Sequence, residues 1–233
     1  MIIAFVNPLG TLLSPLEDGA PDFSAGLGQL LRHAELVPVT GMDEVELLMV
    51  PASFTSWQIL RHGAVVLTPD GAEDPAWRRL TLETQAENAD ALTLAHQAAV
   101  HIGQLSQVGT DAELLTHGAY PLMLRVRHPH QLPLATEQLL QELQAWLDDS
   151  PFRSRLRITQ QGDEVLVLPR DITPESAVNY VVSRWEDTIT LTVGVSVYPA
   201  DLPFMSQCDL ALTPGHPWPS CKSGNRSRRT TEL

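Results

Sequence analysis

The residues best suited to chemistry lie in four short segments, each placed after an apolar run that is typical of a β-strand. The segments begin at Asn7, Thr40, Ile172 and Gly194, and Asp201 follows closely after the last of them. In an open α/β sheet the carboxyl ends of parallel strands share one edge, and ligands bind at that edge. We therefore expect the four segments to line one cleft.

The strands that must position these segments alternate with helices along the chain. The run from Ile2 to Val6 is continuously apolar, as in a central strand buried on both faces. Thr173 is placed to cap a helix that follows it, and Gly194 to end a strand. Short strands alternating with helices predict an α/β fold with a parallel sheet. Strands are expected at residues 2–6, 36–39, 64–67, 188–193 and 209–212, and helices at residues 22–32, 42–50, 174–184 and 202–205.

The middle of the chain has a different pattern. It predicts a long helix at 80–105, an amphipathic helix at 135–147 and a strand at 122–126. Two further strands, at 156–158 and 165–168, are joined by a Gln161-Gly162-Asp163 turn and predict a hairpin. Two helices and an antiparallel sheet form an α+β insert of domain size, roughly 85–95 residues. We therefore predict a core at residues 1–79 and 170–215 and an insert at residues 80–169.

Charge and composition exclude several classes of function. The 233 residues carry a formal net charge of −13, which disfavours binding to nucleic acid or to anionic membranes. Residues 216–233 have a net charge of +3 and few large apolar groups, so we predict a disordered basic tail. Two cysteines are too few for a disulfide framework or a zinc site. The apolar start lacks a basic leader, and a cytoplasmic location is expected.

Several short motifs, in this order, resemble the haloacid dehalogenase (HAD) superfamily. They are Gly10-Thr11-Leu12-Leu13, the strand end Val39-Thr40-Gly41, and Asp201-Leu202-Pro203-Phe204-Met205. An insert between the second and third family motifs is similar to the large cap (type IIB) of the sucrose-phosphate and mannosyl-3-phosphoglycerate phosphatases. The resemblance covers about residues 1–215. It implies a Rossmann-like parallel-sheet core with an inserted α+β cap.

The resemblance also assigns roles to positions at which this chain has lost the usual residues. Asn7 stands where the family has its aspartate nucleophile, and Leu9 where it has a general acid and base. Pro174 replaces the lysine that offsets phosphate charge, and Val195 replaces a magnesium-binding aspartate. An amide is a poor nucleophile, and leucine cannot transfer a proton. The positions kept in recognisable form are Thr11, Thr40, Ser196 and Asp201.

The joint loss of these groups predicts a pseudoenzyme, a catalytically degenerate phosphatase homologue. It would act by binding a protein partner or a phosphosugar-like molecule, with no cofactor. One alternative is an active Mg²⁺-dependent sugar-phosphate phosphatase that uses displaced carboxylates, for which the candidates are Asp18, Asp43, Asp70 and Asp201. Another is a structural or assembly subunit.

The sequence leaves two interpretations open for the role of each of these positions. Asn7 and Leu9 are either turn and core residues or the lining of an uncharged ligand pocket. Thr40 either caps the next helix or binds an anion there. Asp201 either caps the turn before Leu202 or binds a cation weakly.

A basic cluster at the end of a predicted cap strand offers possible ligand contacts. It consists of Arg125, Arg127 and His128, with His130 close by in sequence. It is either a solvated edge or a contact for a phosphosugar or an acidic partner. Two histidines without a further ligand do not predict a metal site.

Overall fold

The computed structural model describes residues 1–13, 24–106, 109–185 and 188–214. The predicted basic tail at 216–233 and the candidate Asp18 lie outside these residues. No helix in the described part of the chain is long and apolar enough to cross a membrane.

The core is a parallel sheet with strand order β10-β9-β1-β2. Its strands are β1 (Ile2–Val6), β2 (Ala34–Pro38), β9 (Leu191–Val195) and β10 (Leu210–Leu212). An antiparallel pair, β3 (Gln58–Leu60) and β4 (Val65–Leu67), adjoins β2 through a bridge between Val39 and Ile59. Strand β1 lies between β9 and β2, and apolar clusters cover both faces of the sheet. Its last four residues are therefore fully buried.

Alternating side chains of β1 pack into two different layers. Ile3 and Phe5 lie in one apolar cluster with α5 (Pro174–Arg184) and α6 (Leu202–Met205). Ala4 and Val6 lie in the other, with residues of α1 (Ser24–Leu30) and α2 (Glu44–Leu47). This is the two-sided covering that an α/β sheet requires.

The inserted layer, which we call the cap, consists of two helices on an antiparallel sheet of order β5-β6-β8-β7. The helices α3 (Pro75–Leu105) and α4 (Pro133–Asp149) bury alanine and leucine side chains against this sheet. Its strands are β5 (Asp111–His117), β6 (Tyr120–Arg127), β7 (Leu156–Gln161) and β8 (Glu164–Pro169).

Several predicted elements differ from the structure. The strands β3 and β5 are absent from the prediction, and α3 begins at Pro75 because Asp74 caps it, so the predicted boundary at residue 80 falls inside a helix. The expectation that Gly194 ends a strand is wrong, since β9 continues to Val195. A Cβ atom at Gly194 would lie 2.9 Å from Met205 Cα, so glycine lets α6 pack directly on the strand.

Candidate functional site

Asn7 is held rigidly at the carboxyl end of β1. Its backbone N–H donates to the Val195 carbonyl (2.9 Å), which joins the ends of β1 and β9. Its side-chain Oδ1 accepts from the Leu9 N–H (3.2 Å), and this contact orients the amide with Nδ2 pointing away from the turn. The Thr11 hydroxyl donates to the Asn7 carbonyl. Asn7 and Thr11 are each only 1% exposed, so this hydrogen bond lies away from solvent.

Asp201 receives two hydrogen bonds on a single oxygen from the ends of the two central strands. Asn7 Nδ2 donates to Asp201 Oδ2 (2.7 Å), and Ser196 Oγ donates to the same oxygen (2.6 Å). Ser196 is fully buried, and its Oγ also accepts from the Tyr198 N–H (3.1 Å). The structure thus brings together three of the positions that the resemblance singles out, and we call Asn7, Asp201 and Ser196 the polar triad.

The polar triad does not fit a magnesium ion. Mg²⁺ prefers several hard oxygen ligands, whereas this site has one carboxylate that faces an amide N–H and a hydroxyl donor. Burial raises the pKa of Asp201, against the lowering effect of its two hydrogen bonds, and the nearby charge of Glu175 raises it further. Among the described residues, no group of three or more His, Cys, Asp or Glu side chains could hold a metal ion.

The predicted cap roles of Thr40 and Asp201 are both wrong. The helix after Thr40 is capped by Asp43, which accepts from the Val45 and Glu46 N–H groups in a capping box. Thr40 Oγ1 instead accepts from the Met42 N–H (3.2 Å) within the loop. Asp201 makes no side-chain cap contact with α6, because its carboxylate points inward to Asn7 and Ser196.

A left-handed turn lies directly against Thr40 and Gly41. Its residues Arg61, His62 and Gly63 have φ values of 48°, 57° and 91°. The His62 N–H donates to the Thr40 carbonyl (3.0 Å), and the imidazole rests on Gly41, where an added Cβ would collide with it. Burial, and next the positive charge of Arg157, lower the pKa of His62 to about 4. The imidazole is therefore neutral at neutral pH.

Pro174 begins α5 as predicted. Thr173 caps this helix by accepting the Ser176 N–H on its hydroxyl (3.1 Å). The Pro174 nitrogen would lie 2.9 Å from a Cβ atom at Gly63, so the helix start packs closely on the left-handed turn. Val195 is fully buried in the sheet and presents only its backbone carbonyl to Asn7.

The basic cluster on the cap is paired with carboxylates. Arg125 donates to Glu113 (2.6 Å), and Arg127 lies 3.2 Å from Asp111. His128 is 8% exposed, and its Nδ1 accepts from the His130 N–H (3.1 Å). Both arginines therefore already have carboxylate partners, on a strand that lies inside the cap sheet and not at its edge.

Two other cap residues, which the sequence reasoning missed, approach the cleft. Arg157 Nη2 donates to the Ile172 carbonyl (3.1 Å), and Gln161 Oε1 would lie 3.2 Å from a Cβ atom at Gly41. In this region the sequence predicts only a hairpin turn at Gln161. A predicted turn does not indicate which side chain faces the core, because that depends on how the cap packs on the core.

Similarity to solved structures agrees with this architecture. The C-terminal domain of a trehalose-6-phosphate phosphatase from C. albicans has a TM-score of 0.60 at 11% identity, over 88% of this chain and 71% of that one. A sucrose-phosphatase from Synechocystis, in complex with sucrose and phosphate, has a TM-score of 0.56 at 14% identity, over 88% and 78%. An IMP-bound IMP-nucleotidase from Plasmodium falciparum has a TM-score of 0.60 at 8% identity, over 91% and 64%.

At the level of sequence, the comparisons find no such similarity to known proteins. No family model matches the chain, and no curated protein matches it in a sequence search. Identities this low carry information on the fold alone, and the predicted fold class is confirmed at that level. The chain therefore has a HAD-like fold, a parallel-sheet α/β core with an inserted cap.

Proposed function

We propose that this protein is a catalytically degenerate HAD-like phosphatase homologue that acts by binding rather than by catalysis. The fold is that of phosphatases, while Asn7, Leu9, Pro174 and Val195 supply no nucleophile, proton donor, ammonium or metal ligand at the strand ends. We assign the vestigial active site to these positions together with Thr11, Thr40 and the polar triad.

The polar triad is the observation that carries this proposal. Asp201 is the one carboxylate left from the pattern, and both donors that approach its Oδ2 belong to the protein. A carboxylate in this state is a poor metal ligand, because a metal would have to displace an amide and a hydroxyl that are both buried. Its hydrogen bonds stabilise the strand ends instead of a reacting group.

The displaced carboxylates of the alternative are engaged elsewhere. Asp43 caps α2 and also pairs with Arg61 (3.1 Å). Asp70 lies in an exposed turn, where it accepts from the Thr68 hydroxyl and from the Ala72 N–H (3.3 Å). Neither carboxylate is bonded to the polar triad, so neither supports a relocated nucleophile there.

The cleft between core and cap is the surface through which we expect a ligand to bind. Phosphosugar-like molecules are the favoured class, since one solved structure of this fold holds sucrose and phosphate. A protein partner that contacts the cap or the cleft mouth is the other form of the same binding function.

The test is a phosphate-release assay with purified protein, Mg²⁺ and a panel of phosphosugars that includes sucrose phosphate and mannosyl-3-phosphoglycerate. We expect no release above a protein-free blank. The Asn7→Ala and Asp201→Asn variants run in parallel as controls for contaminating phosphatase, which would be equally active in all three preparations. Mg²⁺-dependent turnover that Asp201→Asn abolishes would contradict the proposal.

A further inference from the structure

The left-handed turn Arg61–Gly63 is an unfavourable backbone segment that its surroundings must hold in place. Positive φ costs free energy for residues with a side chain, and two such residues, Arg61 and His62, are adjacent here. Three contacts to the loop after β2 fix them. The Arg61 N–H donates to the Met42 carbonyl (3.1 Å), the His62 N–H donates to the Thr40 carbonyl (3.0 Å), and the Arg61 side chain pairs with Asp43.

The same turn contacts both points at which the chain passes between core and cap. At the start of α3, Trp77 Nε1 donates to the Gly63 carbonyl (3.0 Å). At the start of α5, the backbone of Thr173 and Pro174 packs on Gly63 so closely that a Cβ atom there would collide with it. Any rotation of the cap about these two connections must therefore move or break contacts of this turn.

Strand β7 of the cap also reaches the core near this turn. Strand β7 contacts the turn Pro199–Asp201, which ends in the polar triad. Gln161 of β7 and His62 of the core both lie close to Gly41. One side chain from each layer therefore occupies the space that a side chain at position 41 would fill. Arg157, also on β7, donates to the Ile172 carbonyl, and its buried Nε has no hydrogen-bond partner among the described residues.

We propose that the turn Arg61–Gly63 is a latch that holds the cap closed on the core, with His62 and Gln161 meeting over Gly41 as its two halves. This inference rests on the proposed function, because it describes how access to the same cleft is regulated. A ligand that enters the cleft above Thr40 and Gly41 must first separate these two side chains. The closed state is therefore an autoinhibited state of the binding site.

The test is hydrogen–deuterium exchange on the full-length protein without ligand, with peptides that cover residues 40–42 and 198–201. We compare wild type with His62→Asn and Gln161→Ala. Asparagine tolerates the left-handed conformation, so His62→Asn removes the imidazole and keeps the turn. Gln160→Ala is the matched control, since Gln160 is the adjacent, exposed residue of the same strand, and its side chain bonds only to the Gly162 carbonyl (3.0 Å) among the described residues.

We expect both latch variants to speed exchange in both peptides by about tenfold, which corresponds to about 1.4 kcal/mol of closing free energy. Gln160→Ala is expected to exchange as wild type does. Unchanged exchange in the two latch variants, or faster exchange in only one of the two peptides, would overturn the latch. Because the readout needs neither substrate nor metal, phosphate turnover would overturn the proposed function without affecting this result.

Discussion

A single carboxylate oxygen holds together the ends of the two central strands. Asn7 at the end of β1 and Ser196 after β9 both donate to Asp201 Oδ2, and both donors are almost completely buried. A buried donor without an acceptor costs about 1–3 kcal/mol, more than a hydrogen bond contributes when it is formed. The polar triad is therefore a structural feature whose loss should be felt in stability.

We expect Asp201→Ala to lower the free energy of unfolding by about 2–4 kcal/mol, because it leaves Asn7 Nδ2 and Ser196 Oγ without an acceptor. Asp201→Asn should cost much less, since its Oδ1 can still accept while the buried charge is removed. Urea unfolding followed by circular dichroism measures both variants. Asp90→Ala, at an exposed position of α3, is the control and should stay close to wild type. Equal stability of Asp201→Ala and wild type would contradict a structural role for the triad.

At the scale of elements, the turn between β3 and β4 places a partly buried titratable group, His62, between core and cap. The pKa of His62 falls from 6.5 to about 4 through burial and through the charge of Arg157. The unfolded chain therefore binds a proton between pH 6.5 and 4 that the folded chain does not. The resulting stability is fully present above pH 6.5 and is lost as the pH falls toward 4.

We expect His62 to account for about 2 kcal/mol of the stability lost between pH 7 and pH 5. Urea unfolding of wild type and His62→Asn at both pH values measures this contribution as a difference of differences. His101→Asn, at an exposed position of α3, corrects for general effects of removing a histidine. If His62→Asn and wild type lose the same stability on acidification, His62 is not buried in its neutral form.

The elements with a strong local signal are the ones that the sequence predicts well. Strand β1 has a continuous apolar run, and α5 has both Thr173 as its cap and Pro174 at its first position. Strand β3 has only three residues, and β5 carries polar side chains on a half-exposed edge, so neither shows a clear period. These two strands depend on their pairing with β4 and β6, which no local pattern reveals.

The candidate site divides in the same way. The motif positions Asn7, Ser196 and Asp201 were singled out from the sequence, and they meet in space. The side chains of His62 and Gln161 were not, because they come from different layers and both reach Gly41 only through the cap's position on the core. Sequence spacing predicts neighbours within a helix or a strand, and contacts between layers need the tertiary structure.

At the scale of the whole molecule, a HAD-like fold is combined with a strand-end site that has one carboxylate. The net charge of −13 gives the protein a long-range attraction for cations, yet the described residues hold no cluster that could fix a metal ion. General attraction of Mg²⁺ to the acidic surface is therefore distinct from binding of Mg²⁺ at the polar triad.

Whether the polar triad binds Mg²⁺ is measured by a Mg²⁺ titration of the wild-type protein by isothermal calorimetry, with Asp201→Asn as the paired sample. Unlike a turnover assay, it does not depend on the choice of substrate. We expect no saturable heat in either sample at physiological ionic strength, because Asp201 Oδ2 is already occupied by Asn7 and Ser196. A one-site Mg²⁺ isotherm that is present in wild type and absent in Asp201→Asn would contradict the account.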